Sequence, residues 1–187
     1  MDYNPVIHAT TPPLQVTALV GTTTVVLGFD LVAPIPADLL GFAVRRVDLD
    51  DGAAIWLKNP LKFASTPYAG YQVAGTDTRQ APIQQFHWLD EVVQSDHTYR
   101  YTVALVAGTP AQPLLGTSCD LTLRTAPATL GDTTLIFNRG TTATPAYRTQ
   151  FDTLPLTAQP PTMRAAAASY LSRGLREGLL QFLGAAV

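Results

Sequence analysis

The sequence predicts a mainly β protein: an immunoglobulin-like antiparallel sandwich followed by an incomplete α/β segment of one strand, one short and one long helix. Three observations predict it. About seven short runs rich in β-branched and aromatic residues, divided by turn residues, lie between residues 14 and 125. A proline-, alanine- and glycine-containing stretch at 126–132 then breaks the pattern. A run of helical period closes the sequence. Hydrophobic residues make up 47% of the 187 and charged residues 14%, against the usual quarter, so the chain can bury a sizeable core and disorder is excluded.

Taken in order, residues 1–13 read as an N-terminal arm, and 14–20 and 23–30 as two β-branched strands paired around Gly21-Thr22. Residues 41–48 form a third strand, and the Asp-Gly turn of Asp50-Asp51-Gly52 leads into a fourth at 54–57. The stretch 58–81, with Pro60, Pro67, Gly70 and Gly75, reads as an irregular connection, and 85–89 as a short strand. The clearest run is 98–106, where Tyr99, Tyr101, Val103 and Leu105 share a face by the two-residue period. A last sandwich strand covers 116–125. Periodicity alone leaves a small barrel open as the alternative.

The sandwich domain so defined is 14–126, and 127–132 is a linker. Residues 133–138 read as one further strand, 145–151 as a short helix with proline in its first turn, and 162–183 as the long helix. Four consecutive alanines and several leucines favour that helix. Leu171, Leu175, Leu179, Phe182 and Leu183 fall on one stripe. A strand followed by an amphipathic helix is half of a β-α-β unit, and no partner strand follows. The apolar ending at 178–187, where chains usually turn polar, reads as part of something longer.

Charge and cysteine content exclude several classes. A net charge of −2 provides no basic field for nucleic acid or anionic lipid. One cysteine, Cys119, excludes an internal disulfide framework and a zinc-thiolate cluster. No run of eighteen apolar residues occurs. The first residues have neither the basic nor the apolar region of a secretory leader, so the cytoplasm is the expected compartment.

Residues suited to catalysis are sparse. His8, His87 and His97 have no shared spacing, and none stands two residues before a lysine. Glu91 and Glu177 are the only glutamates, and neither a phosphate loop nor a G-x-S-x-G elbow occurs. Asp48, Asp50 and Asp51 before Gly52 lack calcium-loop spacing and read as a hairpin turn. Trp56, Trp88, Tyr68 and Tyr71 offer a possible sugar platform, although aromatics at strand spacing are usually core or rim. Arg45 and Arg46, adjacent on a strand, face opposite sides and cannot act together. Cys119 reads as a small buried hydrophobe, and Asn138-Arg139-Gly140 as a polar turn or, alternatively, a phosphate contact. The expectation is no catalytic residue, no metal and no cofactor on this chain.

Two resemblances refine the reading. Asp96-His97-Thr98-Tyr99-Arg100-Tyr101-Thr102-Val103 resembles the strand of a fibronectin type III domain that opens with a tyrosine corner, here Tyr99, whose hydroxyl bonds back to the preceding connection. The strand-B tryptophan usual in such domains has no equivalent. A wider set is similar to bacterial phospholipase D-like phosphodiesterases that carry a fibronectin-like domain before the catalytic region. It comprises the Gly41 to Arg46 strand, Trp56-Leu57, Pro82 to Asp90, the Tyr99 strand, Ile136 to Gly140, Ala146-Tyr147, Phe151 and Tyr170 to Leu175.

That resemblance implies that residues 133–187 open a catalytic lobe. It implies phosphodiester hydrolysis by paired H-x-K-x4-D motifs, one histidine attacking phosphorus and the other protonating the leaving group. Neither motif is present, so no family catalytic residue maps onto this chain. A second polypeptide would supply the rest of the lobe and pack on 133–187, and the complete protein would take a phosphodiester substrate. The rival reading is a non-enzymatic fibronectin-like adhesion or interaction module. A carbohydrate-binding sandwich using Trp56 and Trp88 is the third.

Overall fold

The computed structural model describes residues 4–32, 35–64, 75–138, 142, 147, 150–152 and 154–185. It divides into two compact units, Met1–Ala128 and Thr129–Val187. The first is the antiparallel sandwich.

Strands β1 (Val6–Thr11), β2 (Leu14–Val20), β3 (Val25–Leu31) and β8 (His87–Asp90) make one sheet in the order β1-β2-β3-β8. The other sheet runs β10-β9-β4-β5, from β4 (Leu39–Asp48), β5 (Ala54–Trp56), β9 (Thr98–Thr109) and β10 (Gln112–Arg124). All these pairings are antiparallel. This is the fibronectin III-like arrangement of two facing sheets. Alternation does the sorting: on β2, Leu14, Val16, Ala18 and Val20 are buried while Gln15, Thr17 and Leu19 face outward. Val25, Leu27 and Phe29 of β3 meet Phe42, Val44, Tyr101, Val103 and Leu105 from the facing sheet in one core. Cys119 lies in that core as a free, buried thiol.

Several expected elements differ in detail. Residues 6–11, read as part of an arm, form β1: Ile7 and Ala9 pack onto the core, so the strand gains burial as well as hydrogen bonds. The stretch read as an irregular connection holds a two-residue pair, β6 (Lys58–Asn59) with β7 (Thr76–Asp77); residues 65–74 lie outside the described set. The long strands run further than their apolar cores suggest, and β10 carries an irregularity between Leu115 and Ser118.

One close approach fixes a glycine. The Phe42 N–H donates to the Ile83 carbonyl at 2.9 Å and the Ile83 N–H to the Phe42 carbonyl at 2.8 Å, drawing the 82–83 backbone against β4. Gly41 has φ +142°, and a Cβ there would stand 2.3 Å from the Ile83 oxygen.

The second unit is small. Its expected strand at 133–138 is reduced to a hairpin of β11 (Thr129–Leu130) and β12 (Thr133–Thr134) around Gly131, because no neighbouring strand among the described residues takes up the backbone groups of 135–138. Of the expected short helix at 145–151, Tyr147, Gln150 and Phe151 are helical; its other four residues lie outside the described set. A 3-10 turn at Leu156–Ala158 precedes α1 (Pro161–Leu171), which starts with proline at its first position. The expected long helix is two helices. The Ser172 hydroxyl bonds back to the Ala168 carbonyl at 2.8 Å, and Gly174 turns the chain with φ +87°. The Glu177 carboxylate then accepts the Gly174 N–H and α2 (Leu175–Ala185) begins. The segment after the sandwich is thus, among the described residues, a two-stranded hairpin followed by short helices.

Tyr147, Phe151 and Ala167 form this unit's own core, with Leu156, Tyr170 and Leu171 against it. Gln159 is buried beside them, its amide donating to the Phe151 and Leu154 carbonyls at 2.6 and 2.9 Å. Ile136 packs so closely on Gly178 that a Cβ there would lie 2.5 Å from its side chain.

Replacing Gly41 by alanine combines left-handed strain with a backbone clash, and is expected to cost about 1–3 kcal/mol. Urea denaturation of Gly41→Ala against wild type measures this; an unchanged midpoint would show that the 82–83 segment yields freely.

Candidate functional site

The unusual chemistry of the sandwich lies at one end of its core, where β4 and β9 turn polar side chains inward in two successive rows. Arg46 stands opposite Tyr101 and Asp48 opposite Tyr99. Period-two alternation along both strands sends these four to the same side as Val44 and Val103.

Asp90 reaches the first row from β8 on the facing sheet. Arg46 Nη1 donates to both carboxylate oxygens, at 2.8 and 2.7 Å, and the Tyr101 hydroxyl donates to Oδ2 at 2.9 Å. The Arg46 side chain is 13% exposed and that of Asp90 2%. Burial works against the Arg46 charge, yet Asp90 outweighs it and holds the guanidinium above its ordinary value. Burial raises the Tyr101 hydroxyl far above the usual tyrosine range, and the Asp90 charge adds to it.

The second row is a corner. The Gln94 N–H donates to the Tyr99 hydroxyl oxygen at 2.8 Å, five residues upstream, which is the tyrosine-corner contact. Burial, with the Asp48 charge adding, pushes the Tyr99 hydroxyl up to about 12. Asp48 Oδ2 lies 2.9 Å from His97 Nδ1 and its Oδ1 accepts the Asp50 N–H at 3.0 Å. Burial opposes ionisation of Asp48, but these bonds outweigh it and hold the carboxyl below its ordinary value. The His97 N–H donates to Thr125 Oγ1 at 3.0 Å, tying the corner to the end of β10.

Asp48, Asp50 and His97 present ligand atoms within 4.8 Å of one another, an oxygen and nitrogen set of a kind zinc accepts. Those groups already hold each other and the Thr98 N–H, so in this geometry they act as a lock on the strand end. The arrangement contains no nucleophile paired to a base. It fixes the two sheets in register.

The remaining candidate residues disperse. Arg46 points inward and Arg45 outward, as their adjacency on a strand requires. Trp56 sits in β5, with the Arg79 guanidinium 4.9 Å from its ring, while Trp88 packs against the core from β8. They belong to different sheets and form no shared platform; Tyr68 and Tyr71 lie outside the described residues. His8 bonds Thr17 on an outer face, and His87 is exposed on another strand. Leu171 is half-buried on the second unit's core, while Leu175, Leu179 and Phe182 are exposed. Because Leu171 lies in α1 and Leu175, Leu179, Phe182 and Leu183 in α2, the five do not form one continuous stripe. Arg139 and Gly140 lie outside the described set. Sequence reading missed the Arg46–Asp90–Tyr101 and Asp48–His97 groupings. The one signal available was charged residues at inward positions of apolar strands.

No family model and no curated protein matches the chain. Among solved structures, it is similar to Astrotactin-2, described as a conserved vertebrate-specific and perforin-like membrane protein involved in neuronal development. The identity is 13% and the TM-score 0.38, over 66% of this chain and 22% of that one. The present chain thus spans about a fifth of that protein.

Removing Asp90 leaves a buried guanidinium without its partner. Asp90→Ala is expected to cost about 3–5 kcal/mol in chemical denaturation, and Tyr101→Phe about 1–2 kcal/mol. Equal effects of the two would contradict the charge pairing. The depressed Asp48 value gives a second expectation. Its stabilisation is fully present above the unfolded carboxyl value of about 3.9 and is lost as pH falls through the lower folded value. Thermal melts from neutral to strongly acidic pH should therefore fall more steeply for wild type than for Asp48→Asn.

Proposed function

We propose that this chain is a non-enzymatic, fibronectin III-like interaction module whose second unit docks onto another polypeptide. The observation that carries it is α2, which buries none of its residues although it is rich in leucine. Leu179, Leu180, Phe182 and Leu183 are 49%, 59%, 70% and 59% exposed. Fully covering one such side chain contributes roughly 1.5–3 kcal/mol.

The charges of α2 are kept at its beginning. Arg176 reaches back to Ser169 and Glu177 to the Gly174 N–H, and from Gly178 to Ala185 no charged residue follows. A helix apolar on most sides is ordinarily enclosed by protein. No helix among the described residues is long and apolar enough to cross a membrane. The chemistry that fits is an apolar groove on a protein partner. A cytoplasmic setting belongs to this reading, since Cys119 is an unpaired thiol within the sandwich core.

The same helix favours a second reading, in which the docked polypeptide is the remainder of a phospholipase D-like lobe acting on a phosphodiester. Purification from the native source with mass spectrometry separates the two. A stoichiometric companion lacking H-x-K-x4-D motifs supports the module, and one carrying them supports the enzyme. In either case the double variant Leu179→Glu/Phe182→Glu should lose the companion while the sandwich melts unchanged. A chain that purifies alone, and whose solubility that variant leaves unaltered, would overturn both.

A further inference from the structure

Helices α1 and α2 are separated by a very small interruption. Bonds of the i→i−4 kind persist through the junction: the Ser172, Arg176 and Gly178 N–H groups donate to the Ala168, Ser172 and Gly174 carbonyls at 3.0, 2.9 and 3.1 Å. The helical ladder fails only over 173–175. There the Arg173 N–H turns to the Tyr170 carbonyl at 3.4 Å, and the Gly174 N–H goes to the Glu177 carboxylate. Gly174, at φ +87°, is the only residue of the junction with a positive φ. Glycine takes φ of either sign about equally well, so this residue itself resists a return to helical geometry very little.

The bend divides an apolar face that a straight helix would join. Leu171 lies against the core of Tyr147, Phe151 and Ala167, while the exposed Leu175, Leu179, Phe182 and Leu183 stand beyond the turn. On an unbroken helix, at about 100° per residue, these five fall within roughly 120° of arc, continuous with that core. Arg173, Arg176 and Glu177 fall outside the arc. Two local contacts favour the bent form: the Glu177 carboxylate on the Gly174 N–H, and the Ile136 side chain seated on Gly178. Against them stand the ladder bonds that straightening would restore at 173–175.

We propose that residues 161–185 are a two-state element, bent at Gly174 in the free chain and one continuous helix when the apolar stripe is covered. This rests on the reading that α2 docks, and adds how that docking is controlled. A cover that spans Leu171 to Leu183 fits the straight form and not the bent one, so it draws the chain towards the straight form. The apparent affinity is then the intrinsic affinity reduced by the fraction of chains already straight. Gly174 and Glu177 set that fraction without touching the partner.

Spin labels on the full chain, through Ala166→Cys and Gln181→Cys, test the proposal by pulsed electron resonance. Both positions are exposed and off the stripe, and Cys119 is buried away from the label. A straight helix puts their backbones about 22 Å apart, and the bent form puts them closer. The labelled chain should show the shorter distance as its main population. Adding Gly174→Ala disfavours the positive φ and favours helix, so the ratio should move towards the straight form by roughly thirty- to a hundredfold. Glu177→Ala, which releases the Gly174 N–H, should move it the same way and serves if the first variant fails to fold. Dodecyl maltoside micelles, a neutral apolar cover, should lengthen the distance in the labelled chain but not in its Leu179→Glu/Phe182→Glu form. A folded Gly174→Ala chain that keeps the short distance would overturn the proposal, as would a labelled chain that keeps it in micelles. A chain that straightens in both tests yet purifies without a companion upholds the hinge and overturns only the docking reading.

Discussion

Taking an arginine and an aspartate out of water is among the most expensive steps in building this sandwich, and the two sheets are positioned around how that cost is met. Each ion would lose several kcal/mol of hydration on its own. Asp90 answers both oxygens of its carboxylate with Arg46, adds the Tyr101 hydroxyl, and accepts the Val92 N–H at 3.3 Å. Apolar side chains slide past one another at little cost, whereas this network holds only when β8 stands at one height against β4 and β9. No buried side-chain nitrogen or oxygen among the described residues is left without a partner. The polar end of the core thus selects one arrangement of the sheets from the many that burial alone would tolerate.

The tyrosine corner extends that selection to the chain's path. Tyr99 holds the connection after β8 through Gln94, while Thr125 accepts the His97 N–H and donates to the Gln94 carbonyl at 2.6 Å. The start of β9 and the end of β10 are thereby fastened to the same loop. Arg46 lies 5.5 Å from the Tyr99 ring centre, so the two polar rows touch and act as one block.

Much of the sandwich was legible because alternation is a local signal. Leu14 to Val20 and Tyr99 to Leu105 display their inward faces in the residue order itself, and Tyr99 carried its role in its neighbours. The features that escaped are set by partners distant in sequence. Asp90 is 44 residues from Arg46 and Asp48 is 49 from His97, and nothing within either stretch announces the other. The second unit misled for the opposite reason. Its alanine and leucine content favours helix throughout, and the break at Ser172–Gly174 comes from one hydroxyl and one glycine that average propensity overlooks. The apolar run at 135–137 likewise has the composition of a strand, and no strand among the described residues pairs with it.

The irregularity in β10 has a consequence for the protein in a crowded solution. β10 is thirteen residues long and ends its sheet, so its outer edge is a ready template on which a foreign strand can grow. A register shift between Leu115 and Ser118 divides that edge into two shorter stretches whose hydrogen-bonding directions no longer match. A straight intruding strand can satisfy one stretch or the other, not both. The defect in the ladder acts as a guard against runaway pairing, at the place where a chain with so few charges has little repulsion to rely on.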